Sequence, residues 1–401
     1  MNNRYVYKNK ICLILAYIID FFGFLLFKPL SFFKKSSAEI AIKKILVIEL
    51  AHIGDVLAIT PALNLLRKRF PKSFISVVVA SWGKDVLVGN PDINEILIYD
   101  ASWFNRTSKS AFSFFNTFKF IGLLRSKKFD MGLDLRGDIR SIIMMNFSGI
   151  KKRVGYRFAG GAFMLTDIIP FDVARRQDKH QIGHNLDFIA SINGGLPHYE
   201  CDKSMKIFFS EQDTSFIDEL LKHNGIRKKD LFVAIHPGAG LSIKCWPINN
   251  FSQLIDEILK RYAMKIVLIG GKHEMVYSQV LSLSGKRKVV DLIGDTSINQ
   301  LAVLLKRAAL FIGGDSGVMH IASAVKTPII AIWGGHNKPS HWGPRSKKDI
   351  IVHRQVDCSP CGLKQCRKLK CLNSITVEDI IRAVDEQVVG FNRQIKTESK
   401  H

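Results

Sequence analysis

The chain has 401 residues, in which Lys and Arg outnumber Asp and Glu by 58 to 35, giving a formal net charge of +23. This length can bury a substantial core and indicates two or three domains. The charge bears on partners and not on the fold, and it fits nucleic acid, anionic lipid or phosphorylated glycan as well as a generally solvated basic surface. The sequence contains no low-complexity tract and no short repeat, which excludes a solenoid.

The first predicted element is an apolar helix. Residues 11–27 are almost all apolar apart from Asp20, and basic residues flank them on both sides, including Lys10 and Lys28. As a helix this run is about 25 Å long, shorter than the roughly 30 Å hydrocarbon core of a bilayer. The pattern therefore predicts a helix at residues 11–33 that lies on, or inserts shallowly into, a membrane surface.

Two alternatives remain for this segment. Ser36 and Ala38 are compatible with a signal-peptide cleavage site, although Asp20 within the apolar run and Pro29 after it disfavour one. Short apolar runs are also typical of accessory helices buried against a domain.

Beyond a Lys/Ser linker, strands and helices alternate, which predicts a parallel, doubly wound sheet in each half of the chain. In the first half we predict strands at 45–48, 75–80, 96–99, 131–135 and 153–156, and helices at 56–69, 111–126, 138–148 and 184–192. In the second half we predict strands at 232–236, 266–269, 289–292, 310–312 and 329–333, and helices at 250–262, 273–284, 298–308, 317–325 and 377–388. The predicted organisation is a helix and linker at 1–42, Rossmann-like domains at 43–200 and 201–376, and a terminal helix and tail at 377–401.

The segment from Phe311 to His320 is the strongest local signal of an anion site. An apolar strand ends in Gly313 and Gly314, Asp315 follows, and Ser316 can cap the next helix. Backbone N–H groups at such a helix start bind phosphate, and a neighbouring carboxylate suits sugar hydroxyls. A strand-to-helix turn with an Asp/Ser cap is also common in α/β proteins with no such site.

Two further blocks add to this segment, and Thr327, Pro328 and the run 339–344 follow it. The first is Lys44 to Ile48 leading into His52-Ile53-Gly54-Asp55, and the second is His236-Pro237-Gly238 followed by Lys244-Cys245-Trp246-Pro247. In this order and spacing, the three blocks resemble glycosyltransferase family 9, the ADP-heptose:lipopolysaccharide heptosyltransferases. The resemblance covers roughly residues 43–388. It implies two Rossmann-like domains that face a cleft, the glycosyltransferase B arrangement, with the terminal helix crossing back to the first domain.

The resemblance implies catalytic roles for Asp55 and Lys244. Asp55 corresponds to the catalytic aspartate of the family, which would take the proton of the acceptor hydroxyl; a helix cap is the alternative for an Asp at this position. Lys244 corresponds to a lysine that would clamp the departing diphosphate, and a solvated loop lysine is its alternative.

The same resemblance implies the remaining donor-binding residues. Asp315, Ser316 and Gly317 would hold the donor sugar and diphosphate, with His320 in a supporting or a core role. Glu274 resembles the acidic residue that holds the nucleotide ribose, although a capping or surface role is nearly as compatible with the sequence. The sequence has no Asp-x-Asp motif, and we predict catalysis with no metal and no cofactor besides the donor, ADP-heptose or a related nucleotide sugar.

Basic residues of the first half are candidates for binding an anionic acceptor. An inner-core glycolipid carries carboxylates and phosphates, which arginine recognises in a bidentate manner. We therefore predict acceptor contacts from Arg136, Arg140, Arg153 and Arg157. Two positions depart from the family pattern: Cys245 stands where relatives usually carry arginine, and Glu49 stands where relatives often have a basic or neutral residue.

Four of the seven cysteines crowd together near the end of the chain, at Cys358, Cys361, Cys366 and Cys371. This spacing could hold a structural metal, but it is tighter than a paired zinc ribbon. A stabilising or redox-sensitive structural loop is the favoured interpretation.

The leading hypothesis is an inverting transferase that moves heptose from ADP-heptose to a lipid-linked lipopolysaccharide core at the cytoplasmic face of the bacterial inner membrane, as a peripheral or monotopic protein. The alternatives are a family relative with another nucleotide sugar and a non-catalytic, membrane-associated glycan-binding protein. Nucleic-acid binding rests on charge alone, since no recognised module is present, and we predict no such partner.

Overall fold

A computed structural model describes residues 10–32, 41–101, 114–158, 160–172, 178–192, 202–282 and 289–398. The chain divides into two compact units, Met1–Ser204 and Met205–His401.

The first unit is built on a sheet of six parallel strands in the order β3-β2-β1-β4-β5-β6. The strands are β1 (Lys44–Ile48), β2 (Phe74–Val79), β3 (Glu95–Ile98), β4 (Met131–Asp134), β5 (Lys152–Gly155) and β6 (Asp167–Ile168). The last residue of β1, Ile48, pairs with Asp134 at the end of β4. The segments that leave these two central strands therefore start side by side at the carboxyl edge of the sheet.

Six helices accompany this sheet. They are α1 (Lys10–Phe32), α2 (Ile53–Arg69), α3 (Lys84–Leu87), α4 (Phe114–Lys127), α5 (Ile139–Phe147) and α6 (Gln181–Ala190), with short 3₁₀ turns at Ser81–Gly83 and Ala162–Met164. Helix α2 packs on α6, and most of its first three turns are buried. Burial on nearly all sides explains why α2 shows little amphipathic pattern in the sequence.

Helix α1 docks on this unit through a narrow stripe of small or polar residues. Ala16, Asp20 and Gly23 are buried, at the i, i+4, i+7 spacing of one helix face. Asp20 is 2% exposed and its Oδ1 accepts a hydrogen bond of 2.7 Å from the backbone N–H of Gly161. Gly23 leaves room for the ring of Phe163, because a Cβ there would lie 2.2 Å from it. The helix is thus a packed part of the first unit.

The remaining face of α1 is apolar and open. Its exposed large residues are Ile14, Leu15, Tyr17, Ile18, Ile19, Phe21, Phe22 and Leu25, between 41% and 65% accessible. No helix in the described parts of the chain is both long enough and apolar enough to cross a membrane. The accessory-helix alternative accounts for the docked stripe of α1 and leaves its open face unexplained.

The second unit repeats the architecture with six parallel strands in the order β12-β11-β10-β7-β8-β9. The strands are β7 (Phe232–His236), β8 (Lys265–Leu268), β9 (Val289–Asp291), β10 (Leu310–Gly314), β11 (Ile329–Trp333) and β12 (Ile350–His353). The central strands β7, β10 and β11 are fully buried, as their continuous apolar sequences predict for a sheet covered on both faces.

The helices of this unit are α7 (Glu211–His223), α8 (Ile248–Arg261), α9 (Met275–Ser282), α10 (Ile298–Arg307), α11 (Gly317–Ala324), α12 (Pro339–Trp342), α13 (Lys370–Asn373) and α14 (Val377–Glu398). Short 3₁₀ turns lie at Ser242–Lys244 and Lys272–Glu274. Helix α14 packs on α8, β11 and β12, and its residues Ile380, Ile381 and Val384 are fully buried in the core of this unit. Helix α14 thus packs within the second unit.

The α/β class and both parallel sheets agree with the sequence prediction, but several elements were missed. Strand β6 has only two residues, too few for a clear apolar run. The apolar, β-branched run of the edge strand β12, Ile350 to Val352, is a strand signal that the sequence interpretation missed. Helix α7 was overlooked although Ser210 and Asp213 form a capping box at its start. Helix α2 begins at Ile53, three residues before its predicted start.

The docking of α1 predicts an effect of Asp20→Ala on stability. Loss of the carboxylate removes the acceptor of the Gly161 N–H, and we expect the free energy of unfolding of the first unit to fall by about 1–3 kcal/mol. Phe21→Ala, on the open face of the same helix, should change it by less than about 0.5 kcal/mol. Urea unfolding, with hydrogen exchange as the probe of the first unit, measures the change in the free energy of unfolding for each variant. Equal effects of the two variants would show that α1 is not docked.

Candidate functional site

The first cluster of charged side chains lies at the carboxyl edge of the first sheet. Glu49 follows β1, Asp55 lies in the first turn of α2, and Arg136 follows β4. Nη1 of Arg136 lies 2.8 Å from Oδ1 of Asp55 and 3.8 Å from Oε1 of Glu49. The structure thus gives Arg136, predicted to contact the acceptor, an ion pair with the candidate base.

Asp55 also stabilises the start of α2. Its Oδ2 accepts a hydrogen bond of 3.2 Å from the N–H of His52, the residue at the N-cap, so Asp55 occupies the third helical position and not the cap itself. Burial opposes its ionisation, but Arg136 and the His52 N–H hold the pKa of Asp55 below its usual value. Asp55 is therefore an ionised carboxylate, and its side chain remains 18% exposed.

Glu49 differs in protonation from Asp55 although it contacts the same guanidinium. Its side chain is only 5% exposed. Burial, together with the negative charge of Asp55, raises its pKa to about 7 in spite of the opposing effect of Arg136. The pKa of Arg136 itself is raised, since the neighbouring Asp55 and Glu49 outweigh its desolvation. One cation thus faces two carboxyl groups of different proton affinity.

The loop between β4 and α5 is held by two further carboxylates. Asp134 is fully buried and accepts from the N–H groups of Arg136 and Asp138, and burial next to Asp138 raises its pKa well above the usual value. Asp138 caps α5 and pairs with Arg140, whose Nη2 lies 2.6 Å from Oδ2. These contacts fix the position from which Arg136 reaches Asp55.

The other two predicted acceptor residues differ from one another. Arg153 donates to the backbone carbonyls of Met164, Ile150 and Lys151, and burial lowers its pKa. The guanidinium of Arg153 thus stabilises the backbone around β5. Its hydrogen bonds to these carbonyls do not favour the predicted contact with the acceptor. Arg157 is exposed just beyond the carboxyl end of β5. The acceptor roles of Arg140 and Arg157 stay predictions.

The second cluster lies at the carboxyl edge of the second sheet and centres on His236, the last residue of β7. Its Nε2 lies 3.2 and 3.1 Å from the two carboxylate oxygens of Glu274, and its Nδ1 lies 3.2 Å from Oγ of Ser316. A neutral ring with the proton on Nε2 satisfies both contacts, because Nε2–H donates to Glu274 and Nδ1 accepts from the hydroxyl. His236 thereby links two residues that the sequence predicted as donor-binding.

Glu274 is held firmly in this chain of hydrogen bonds. It is 6% exposed, and its Oε2 also accepts a bond of 2.8 Å from the N–H of Gly271. Burial disfavours its charge, but the contacts with His236 and Gly271 lower its pKa below the usual value. Gly238 is required beside it, since a Cβ at that position would lie 1.8 Å from Oε1 of Glu274.

The second pair of this cluster is Lys244 and Asp315. Nζ of Lys244 lies 2.6 Å from Oδ2 of Asp315, and Nδ2 of Asn337 donates to the same oxygen at 3.2 Å. Ser316 caps α11 by accepting from the N–H of Met319. His320 is 4% exposed and its ring lies against Trp342. Its supporting role in donor binding stays a prediction.

Three features of these clusters were missed by the sequence interpretation. His236 was noted as part of a motif and not as a site residue, although a polar residue closing an apolar strand before Pro-Gly is a signal for one. Asn337 had no such signal, because it reaches Asp315 only through the fold. The pairing of Arg136 with Asp55 joins residues 81 positions apart in the chain.

The cysteine-rich segment packs on the loop that follows β11. The N–H of Cys361 donates to the carbonyl of Gly335, and the N–H of Gly362 donates to that of His336. Cys358 is exposed and the other three are partly buried. Within the described residues, no group of three or more His, Cys, Asp or Glu side chains is placed to hold a metal ion. The structural-loop interpretation of the four cysteines stays a prediction.

Two parallel sheets with polar and ionised side chains at their carboxyl edges define a two-unit α/β protein of Rossmann-like type. Residues 117–372 match the sequence model of glycosyltransferase family 9 (heptosyltransferase), and the chain therefore belongs to this family. It is a glycosyltransferase.

Curated relatives and solved structures agree with this assignment. Lipopolysaccharide heptosyltransferase 3 of Escherichia coli is 26% identical over 345 residues, which cover 83% of this chain and 96% of the relative. Lipooligosaccharide heptosyltransferase 2 of Haemophilus ducreyi is 24% identical, over 81% of this chain and 91% of its own. The fold is shared with a family 9 glycosyl transferase from Veillonella parvula, with a TM-score of 0.74 at 23% identity over 88% of this chain and 100% of that one. It is also shared with E. coli ADP-heptose heptosyltransferase II, with a TM-score of 0.70 at 19% identity over 87% and 99% of the two chains.

The close approach at Gly238 predicts that Gly238→Ala disrupts the second cluster. The new methyl group forces Glu274 away and leaves buried polar groups without their partners, so we expect a loss of about 1–3 kcal/mol in the free energy of unfolding. Gly122→Ala is the matched control, since nothing lies within 4 Å of its Cβ. In the exposed interior of α4 this change should instead stabilise by about 0.5–1 kcal/mol. Denaturant unfolding of the two variants measures both signs, and a neutral Gly238→Ala would contradict the geometry.

Proposed function

We propose that the protein transfers heptose from ADP-heptose to a lipid-linked lipopolysaccharide core acceptor, with inversion at the anomeric carbon. Family membership and the names of the curated relatives support the donor and the acceptor class. The observation that carries the mechanism is the ionised carboxylate of Asp55, partly exposed at the carboxyl edge of the first sheet and held there by Arg136 and the His52 N–H.

The second unit supplies the donor site in this proposal. The ion pair with Asp315 holds Lys244 beside the turn between β10 and α11. The ammonium group of Lys244 is a compact positive charge that can bind a diphosphate. The helix dipole of α11, which begins after Ser316, adds positive potential at its amino end. A solved heptosyltransferase from E. coli that shares this fold, with a TM-score of 0.65 and 16% identity, holds ADP.

Glu274 and Asp315 have different roles here. Glu274 is fixed by His236 and Gly271, so its carboxylate is pre-organised to accept hydrogen bonds from the hydroxyls of the nucleotide ribose. Asp315 contacts both Lys244 and Asn337, and its remaining acceptor capacity suits the donor sugar.

The transfer step follows from these assignments. Asp55 takes the proton from the acceptor hydroxyl while the oxygen attacks the anomeric carbon of the sugar. The bond between that carbon and the diphosphate oxygen breaks, and its electron pair leaves with ADP, whose charge Lys244 and the α11 terminus stabilise. The charge developing on the leaving group is neutralised by residues of this chain, and we expect turnover without an added divalent metal.

Arginines at the edge of the first sheet would orient the acceptor. Arg140 and Arg157 are exposed and lie near the ends of β4 and β5, on the edge that carries Asp55. Guanidinium groups there match the carboxylates and phosphates of an inner-core glycolipid. Arg136 acts on the base through its ion pair.

Helix α1 would hold the enzyme on the membrane where such an acceptor lies, at the cytoplasmic face of the inner membrane. Among its described side chains, the exposed apolar ones form one open face, and the sequence places Lys10 at the start of α1 and Lys28 in its last third. An apolar face bordered by cations suits the headgroup region of an anionic bilayer. This is a peripheral attachment, with the opposite stripe of the helix docked on the protein.

Asp55→Asn tests the proposed base. Asn keeps an oxygen for the His52 N–H and removes the basic carboxylate, so we expect turnover to fall by about 10²–10⁴-fold while the affinity for the donor changes little. Lys244→Ala should weaken donor binding as well, because its charge meets the diphosphate before and during departure. Steady-state kinetics with ADP-heptose and a core acceptor separate these outcomes.

Asp213→Asn is the matched control for Asp55→Asn. Asp213 stands at the same position of a capping box, in α7, where its Oδ2 accepts from the N–H of Ser210 at 2.9 Å. It should lower the melting temperature slightly and leave turnover unchanged. Near-normal turnover of Asp55→Asn with a comparable loss of stability would show that Asp55 is only a structural cap.

Removal of residues 1–35 tests the membrane role of α1. The truncated enzyme should keep both sheets and its turnover on a water-soluble acceptor, with lower recovery on anionic vesicles and a reduced melting temperature from the loss of the Asp20 contact. The full-length variant Phe21→Glu places a charge on the open face and should lose vesicle binding without that loss of stability. Vesicle co-sedimentation provides the measurement, and undiminished binding of both variants would overturn the role.

A further inference from the structure

Glu49 is an ionisable residue of the first cluster to which the proposed reaction gives no task. It follows directly after β1, is 4% exposed, and its Oε1 accepts a hydrogen bond of 3.1 Å from the N–H of Ala51. The same oxygen lies 3.8 Å from Nη1 of Arg136, the nitrogen that contacts Asp55 at 2.8 Å. Two carboxyl groups therefore face one guanidinium nitrogen, Asp55 at hydrogen-bonding distance and Glu49 at ion-pair distance.

The other charged groups around Glu49 do not relieve this competition. Asp138, in the loop after β4, adds negative charge and is itself paired with Arg140. Asp134, at the end of β4, is fully buried and its pKa is raised, so it supplies no cation either. His52 lies beside Asp55, to which its backbone N–H donates, and it lowers the pKa of Asp55. The cluster thus places four carboxyl groups around Arg136, with Arg140 at its margin.

We propose that Glu49 is a positioning residue for the transfer step, which tunes the basicity of Asp55 through their shared contact with Arg136. The inference rests on the proposed role of Asp55 as the base. It assigns Glu49 no contact with the substrate.

The two protonation states of Glu49 act differently on Asp55. When Glu49 is neutral, the charge of Arg136 is directed at Asp55 alone and makes it a weak base. When Glu49 is ionised, it draws on the same guanidinium and repels Asp55, so the proton affinity of Asp55 rises. Burial raises the pKa of Glu49 to about 7, so the change in the proton affinity of Asp55 occurs near neutral pH.

A stronger base that is still ionised accelerates proton transfer. Turnover should therefore rise by about tenfold as Glu49 loses its proton, a magnitude expected for two like charges at a partly screened site. The two carboxylates contact the same guanidinium nitrogen, at 2.8 and 3.8 Å. The expected rise is centred at about pH 7. The same ionisation works against folding, because a buried carboxyl group with a raised pKa favours the folded state only while it is protonated, and this contribution is lost as the pH rises toward 7.

Glu49→Gln tests the proposal, since the amide keeps an oxygen for the Ala51 N–H and cannot ionise. We expect the rise in turnover near pH 7 to disappear and turnover at about pH 8 to fall by roughly tenfold, with the KM for the donor unchanged. Glu95→Gln is the matched control, because Glu95 pairs with Lys127 at 2.5 Å at the start of β3. It should keep the wild-type pH profile.

A double-mutant cycle separates this role from a structural one. If Glu49 acts through Asp55, Glu49→Gln should have no further effect on turnover in an Asp55→Asn background. An unchanged pH profile of Glu49→Gln, or an equal effect of that change in both backgrounds, would overturn the proposal. A wild-type enzyme that transfers no heptose would instead refute the proposed function.

Discussion

The need to pair buried charge governs both clusters. A carboxylate that leaves water loses its solvation, and it stays ionised only if a cation or several N–H donors replace that water. Asp55 meets this requirement through Arg136 and the His52 N–H. Asp315 is contacted by Lys244 and Asn337. Glu49 and Asp134 meet this requirement less well, and their pKa values are raised. Differences in pairing thus give chemically similar groups different protonation states.

The parallel sheets bring these groups together. All strands of a parallel sheet end at the same edge, so residues that follow distant strands become neighbours. In the first unit the pairing of Ile48 with Asp134 aligns the segments that carry Glu49 and Arg136. In the second unit β7 and β10 pair in the same way, which brings His236 within reach of Ser316. Glycine supplies the remaining space, since any side chain at Gly238 would displace Glu274.

Helix α1 shows how one segment meets two environments. Its small and polar stripe fits the first unit, where Asp20 completes the hydrogen bonding of the Gly161 backbone, and its apolar residues remain open. A buried polar contact gives the helix a defined rotation about its axis, because any other rotation would leave Asp20 and the Gly161 N–H without each other. The proposed membrane face is therefore set by an interaction inside the protein.

Apolar runs and glycine turns in the sequence were enough to predict both parallel sheets, because continuous burial leaves a signal in consecutive residues. Local motifs likewise predicted the segments around Asp55, Lys244, Glu274 and Asp315. The sequence did not reveal the edge strand β6, whose two residues are too few to form a pattern. It also could not show that Arg136 faces Asp55, that His236 joins Glu274 to Ser316, or that Asp20 is buried against Gly161. These contacts join residues far apart in the chain, and only the packing of the tertiary structure determines which polar groups share a desolvated space and therefore which of them carry a charge.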